Sequence, residues 1–375
     1  MSTILILSSK GDRMEFFKKY TSNTYASAAN QYLFEMPKDV VRTSRIFYKI
    51  SVGGEYEYSF LYSNITDSTF ADGSVSHCNI VCDSWEILGA RVAVASHIYT
   101  ADELDDMTGF VELTFDGNEH KSVGPGEFFS TDSVKLNANK GDYICLELKF
   151  TGETLPYHEE TIISAFINDG EGWVACQKTP FACMIGCNRA VKHKVAFLGD
   201  SITQGIGTAT DSYAHWNAVL SEMLPEENAY WNLGIGYARA SDAASDGAWL
   251  FKVKQNDVAV VCMGVNDLLQ GRTVDQIKND ITTIVTNLRS AGLTVILQTV
   301  PPFDYDDDRT ARWNAVNDYI KTVLCDKVDA VFDVVPYLGD EDQPQRAIYV
   351  GHPNVTGCKV WAEALYPLMK VVLSK

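Results

Sequence analysis

The rhythm of hydrophobic positions changes once along the chain. From about Val40 to Ser164, apolar and polar residues alternate in short runs: Arg45–Val52, Tyr56–Tyr62, Ala90–Ala95, Gly109–Phe115, Ser130–Leu136 and Asp142–Phe150. Gly53-Gly54, Asp116-Gly117 and Lys140-Gly141 separate them, and such residues tolerate the backbone angles that tight turns demand. A period of two sends alternate side chains to opposite faces of a strand, so many short strands at this spacing predict an antiparallel β-sandwich. Before residue 205 the one stretch with helical spacing is Phe16–Gln31.

After Lys192, strand-like and helix-like segments alternate. Val195–Leu198, Ala229–Leu233, Asp257–Met263, Thr294–Val300 and Asp329–Val335 read as strands, and Ser212–Leu224, Ala238–Phe251, Val274–Ala291, Arg309–Leu324 and Val355–Val372 read as helices. Asp257–Met263 is almost purely apolar, as a strand buried on both faces must be. This order predicts an α/β domain with a doubly wound, parallel five-stranded sheet and right-handed crossovers. In such sheets ligands bind beyond the C-terminal ends of the strands. The change of rhythm divides the 375 residues into a β-sandwich domain, 1–190, and an α/β domain, 191–375.

Composition adds exclusions. With 46% hydrophobic and 21% charged residues, the chain is neither disordered nor collagenous nor a coiled coil. The net charge of −18 is shared, −11 over residues 1–190 and −7 over residues 191–375. A field of that sign repels nucleic acid and anionic membranes, so neither is expected as a partner. The apolar run Ile4–Leu7 is too short for a signal-peptide core, and no segment reaches the roughly 18 apolar residues of a membrane span. A cytoplasmic protein is expected. The nine cysteines include no Cys-x-x-Cys pair, although Cys78 and Cys82 share a Cys-x3-Cys spacing, as do Cys183 and Cys187. Buried free thiols in a reducing compartment are expected, and no metal.

Candidate chemistry gathers at the predicted strand ends. The first strand runs into Gly199-Asp200-Ser201, the second into Gly234-Ile235-Gly236-Tyr237, and the third into Gly264-Val265-Asn266-Asp267. Beyond the fifth lies Gly351-His352-Pro353-Asn354. Taken singly, each has an ordinary explanation: a turn or helix-cap serine, a tight turn, a cap asparagine, a loop histidine. Together, at one edge of one sheet, they form a set. A serine hydroxyl is a weak nucleophile without a base, and His352 is the candidate base. Asn266 and backbone N–H groups at Gly236 and Tyr237 are candidate donors to an anion. Gly205-Ile206-Gly207-Thr208 lacks the third glycine of a dinucleotide site, so no such site is expected there.

On these blocks, residues 193–375 resemble the SGNH, or GDSL, hydrolase superfamily. The resemblance implies a flavodoxin-like fold and a serine esterase: Ser201 as nucleophile, His352 as base, Asn266 with Gly236 or Tyr237 as the oxyanion hole, and no cofactor. Two positions depart from the family pattern. Tyr237 stands where the family has a glycine, and Tyr349 stands three residues before the histidine, where the family has an aspartate. His352 then needs either a backbone carbonyl, giving a Ser–His dyad, or a carboxylate from the loop Asp340, Glu341, Asp342. Leu113–Gly117, Gly124–Glu127, Ser130–Val134 and Gly141-Asp142 resemble the β-rich, jelly-roll-like N-terminal domain of two-domain carbohydrate esterases. That likeness implies small acyl esters, acetyl above all, on carbohydrate. The alternatives left open are a longer-chain lipase or thioesterase-like acylhydrolase, and a carbohydrate-binding protein with a decayed hydrolase domain.

Overall fold

The structure is a computed structural model that describes residues 10–37, 39–70 and 76–375. The Ile4–Leu7 run therefore lies outside the described residues. The described chain forms two compact units. One holds the residues up to Ala190 except 76–78, and the other holds 76–78 with Val191–Lys375.

The N-terminal unit is built on two antiparallel sheets. One runs Thr21–Ser22, Met184–Cys187, Gly54–Ser63, Phe128–Ser130, with Val134–Ala138 also paired to Gly54–Ser63. The other centres on Arg42–Lys49, Tyr143–Gly152 and Trp85–Ala95. Apolar side chains from their inner faces meet in an aromatic seam: Trp85 of the second sheet lies edge-on to Phe129 of the first, with ring centroids 6.0 Å apart. The Trp85 indole N–H donates to Asn64 Oδ1 at 3.0 Å, which satisfies the one polar atom the ring carries inside.

Three departures from the expected N-terminal elements have local causes. The expected strand Ser130–Leu136 is two strands, because Asp132 leaves the ladder to accept hydrogen bonds from Thr114 Oγ1 at 2.6 Å and Gly117 N at 2.8 Å. The expected helix Phe16–Gln31 is instead Lys10–Lys19, followed by a buried irregular segment. There Asn23 Nδ2 donates to Val52 O at 3.0 Å, and Asn30 Nδ2 donates to Ser63 O and Ile65 O at 2.8 Å. Such side chains offer backbone groups partners outside a helix. Met184–Cys187 is an unanticipated inner strand, buried at every position and so without alternation.

The C-terminal unit contains five parallel strands: β1 (Lys194–Gly199), β2 (Ala229–Gly234), β3 (Val258–Cys262), β4 (Thr294–Gln298) and β5 (Ala330–Phe332). Their order is β2-β1-β3-β4-β5, a doubly wound sheet that reverses direction between β1 and β3. The helices that matter for the site are α1 (Ser201–Gln204), α2 (Trp216–Met223), α3 (Ala240–Ala244), α4 (Ala248–Val253), α5 (Val265–Leu269), α6 (Val274–Ser290), α7 (Asp307–Thr322), α8 (Val335–Leu338) and α9 (Val355–Leu373). The single helix expected over Ala238–Phe251 is α3 and α4, interrupted at Asp246, which is left-handed with φ of 56°, and Gly247. The helix expected from Ser212 begins only at Trp216, because Tyr213 is left-handed with φ of 49°.

Helix α9 is anchored in the core by a stack of Trp361 on Trp216 of α2, with centroids 4.7 Å apart, and by the Trp361 indole N–H donating to Gln298 Oε1 at 2.8 Å. This fixes the N-terminal end of α9, where the loop carrying His352 arrives. No helix among the described residues is long and apolar enough to cross a membrane.

Candidate active site

Ser201, Gly236, Tyr237 and Asn266 each follow the end of a strand of the C-terminal unit, and His352 lies in the loop that leads into α9. Gly199, the last residue of β1, has no room for a side chain: a Cβ there would lie 1.9 Å from Thr203 Oγ1. The chain can therefore turn tightly from strand to helix, and Asp200 caps α1 by accepting the N–H of Ile202 at 3.0 Å. Ser201 is the first residue of that helix. At such a position the backbone N–H has no intrahelical acceptor and faces outward. On the β2 side the same economy holds, since a Cβ on Gly234 would meet Gln204 N at 2.1 Å.

Ser201 Oγ lies 2.8 Å from His352 Nε2, across 151 residues of sequence. Several contacts bring the histidine there. Asn354 caps α9 by accepting Gly357 N at 3.1 Å, and the Cys358 thiol donates to Pro353 O at 3.2 Å. Gly207, left-handed at φ of 103°, presses against the loop so closely that a Cβ would lie 2.7 Å from His352 O. Val350, two residues before the histidine, is left-handed at φ of 61°, an uncommon state for a β-branched residue. Burial holds the His352 pKa below its ordinary value, with no charged neighbour contributing, so the ring is neutral and can accept a proton at neutral pH.

The Gly264-Val265-Asn266-Asp267 block staples the β2–α3 turn. Asn266 Nδ2 donates to Ala238 O at 3.0 Å, and Asp267 Oδ2 accepts the N–H of Ala240 at 2.9 Å. One Asn266 amide hydrogen thus holds the turn that carries Gly236 and Tyr237, which leaves the other for a ligand. Tyr237 is left-handed with φ of 61°, a conformation that glycine adopts without cost. The tyrosine at the family's glycine position keeps a glycine-like backbone and adds a ring, 39% of its surface exposed.

Two acids lie beneath this edge. Asp200 is 2% exposed, and burial pushes its carboxyl up to about 7, with the charge of Asp267 adding to the effect. Burial likewise pushes Asp267 up to about 6, against the opposing pull of the Ala240 N–H and of Arg272, whose Nε is 3.1 Å from Oδ1.

The third group of a triad is not where either alternative would put it. Asp340 Oδ1 accepts the N–H groups of Asp342 and Gln343, both at 3.0 Å, and so caps its own turn, while Glu341 and Asp342 are exposed. Among the described residues, neither a backbone carbonyl nor a carboxylate accepts from His352 Nδ1. What does touch the imidazole is Phe303, edge-to-face at 5.2 Å and 80°. Sequence reasoning missed Phe303, the stapling role of Asp267 and the outward N–H of Ser201. Only the Asn-Asp doublet carried a local signal.

A serine hydroxyl within hydrogen-bond distance of a neutral imidazole, at the switch point of a doubly wound sheet, is an arrangement competent for acyl transfer. Residues 197–360 match the model of the GDSL-like lipase/acylhydrolase family, so the C-terminal unit is a domain of that family and a carboxylic ester hydrolase by class. Solved structures similar to this half of the chain include three hydrolases. A G-D-S-L lipolytic protein from Veillonella parvula is 21% identical with a TM-score of 0.41, over 47% of this chain and 98% of its own. The psychrotrophic esterase EstA from Pseudoalteromonas is 18% identical with a TM-score of 0.40, over 48% of this chain and 99% of its own. A carbohydrate esterase family 3 protein from Talaromyces cellulolyticus is 20% identical with a TM-score of 0.37, over 48% and 98%. No curated protein matches the sequence.

Proposed function

We propose that the protein is a serine esterase for small acyl groups, acetyl above all, carried on a carbohydrate alcohol. Ser201 Oγ attacks the ester carbonyl carbon while its proton passes to His352 Nε2. The oxyanion is held by Asn266 Nδ2–H, by an N–H within Gly236–Tyr237 and by the N–H of Ser201, at roughly 3–4 kcal/mol per donor. As the carbon–oxygen bond breaks, His352 returns the proton to the leaving alcohol. A water then gives a proton to His352 and attacks the acyl-enzyme, releasing the acid and restoring Ser201.

The observation that carries this reading is the 2.8 Å contact between Ser201 Oγ and His352 Nε2 at the C-terminal edge of β1. The preference for a short acyl chain rests on Tyr237, whose ring stands on the oxyanion turn. The carbohydrate alcohol rests on the likeness of the N-terminal domain to those of two-domain carbohydrate esterases.

The test is hydrolysis of p-nitrophenyl esters from acetate to palmitate, and of an acetylated xylan, by wild type, Ser201→Ala and His352→Ala. Acetate should be preferred, and a fluorophosphonate should label wild type once and Ser201→Ala not at all. A label that survives in Ser201→Ala overturns the nucleophile, and palmitate as the best substrate overturns the short acyl chain.

A further inference from the structure

His352 has no hydrogen-bond acceptor at Nδ1 among the described residues, yet it must hold Nε2 on Ser201. In a triad the acceptor fixes the tautomer and stops the ring from turning. Here the ring is met by an aromatic side chain, and that side chain is itself unusually well fixed.

Past Thr299 and Val300, the two residues after β4, the chain reaches Pro301-Pro302, whose rings restrict φ. Asp304 follows Phe303 in the left-handed region, at φ of 52°. Its N–H donates to Gln345 O at 3.0 Å, and its Oδ1 accepts Ala347 N at 3.1 Å, which ties the segment to the loop leading to His352. Tyr305 is buried against Trp313, with centroids 5.9 Å apart, and its hydroxyl donates to Pro301 O at 3.2 Å. Phe303 is thus pinned on both sides, with its ring directed at the histidine loop. Gly351 completes the fit: a Cβ there would lie 2.8 Å from the Phe303 ring, so only glycine lets the ring lie on the backbone next to His352.

We infer that Phe303 is the positioning residue for the catalytic histidine, its ring confining the imidazole by contact in the place where a triad uses a carboxylate. This rests on the proposed Ser201–His352 pair. The inference separates two tasks that a carboxylate performs together. Phe303 supplies orientation, and by covering the ring it keeps the imidazole neutral. It does not supply a negative charge to the imidazolium formed during the reaction. The ring's surroundings agree with this division, because His352 is shifted by burial alone and the groups around it, Ser201, Phe303, Gly351 and the Gly207 backbone, are uncharged.

The test combines kinetics with a direct titration. Phe303→Ala should lower kcat for p-nitrophenyl acetate at least tenfold with KM changed less than about threefold, since a small misplacement of a catalytic group is costly. The acid limb of kcat/KM should move up toward the ordinary histidine value of about 6.5. Phe303→Tyr, which keeps the ring, should restore both. NMR titration of His352, its signal assigned with His352→Asn, should show the same rise in Phe303→Ala. That readout needs no turnover, so it remains informative if the esterase reading fails. If Phe303→Ala does not fold, as judged by circular dichroism, Phe303→Leu replaces it and should shift kcat and pKa in the same directions. A wild-type kcat and acid limb overturn the proposal. So does a loss carried by KM with the His352 titration unmoved, which would make Phe303 a substrate contact.

Discussion

Asp200→Asn should make the α/β unit more stable at alkaline pH and nearly unchanged in acid. Asp200 caps the helix that begins with Ser201, its Oδ1 accepting Ile202 N at 3.0 Å, and an asparagine keeps that acceptor. What it loses is the ionisable group. In the fold, burial and the neighbouring charge of Asp267 raise the carboxyl from 3.8 to about 7. The native state therefore keeps a proton that the unfolded chain has lost. Its contribution is fully present below about pH 4 and is lost as pH rises toward 7. At about 1.4 kcal/mol per tenfold, the full span is worth at most about 4 kcal/mol. Wild type should lose stability by that order between pH 4 and 8, and Asp200→Asn should be spared most of it. Urea unfolding followed through Trp216, Trp231, Trp249, Trp313 and Trp361, at half-unit steps of pH, measures the difference. Parallel curves for the two proteins between pH 5 and 8 would refute the reasoning, because they would mean that Asp200 stays ionised in the fold.

Three further outcomes are expected. Tyr237→Gly relieves a left-handed backbone worth about 1–2 kcal/mol, so its melting temperature should rise, and the range of acyl chains it accepts should widen by up to roughly 10- to 200-fold per methylene; an unchanged chain-length profile would exclude Tyr237 from the acyl pocket. Gly234→Ala sets a Cβ 2.1 Å from Gln204 N and 2.5 Å from Thr203 C, both backbone, so it should cost at least the roughly 1–3 kcal/mol of ordinary overpacking and abolish fluorophosphonate labelling; a labelled variant with the wild-type melting temperature would contradict the packing. Changing Asp340, Glu341 and Asp342 singly to their amides should leave kcat within tenfold, since none is placed on His352, with Asp340→Asn costing about 1 kcal/mol of stability at most; a loss of several thousand-fold in a folded variant would identify a missing acid.

The residues of the site were legible in the sequence because strand ends are locally encoded. A nearly pure apolar run such as Val258–Cys262 can only be an inner strand, and its end places Gly264-Val265-Asn266-Asp267 at the ligand edge whatever the rest of the chain does. The same holds for Gly199-Asp200-Ser201 after β1, and the order of strands and helices predicted the parallel sheet. Geometry among the loops was not legible. The approach of Ser201 to His352 depends on how α9 is anchored through Trp361 and Gln298, and on glycines at 207 and 351 whose importance lies in a Cβ they lack. The left-handed Tyr237 and Val350 run against local preference, so only surrounding contacts can impose them. The sequence pointed to loop acids or a backbone carbonyl for His352, because a missing charge suggests a search for another polar group. The fold brings Phe303 to the ring instead, through a proline-stiffened loop from a different strand. Periodicity records which face of an element is buried; which loops then touch is decided by the packing of all the elements together.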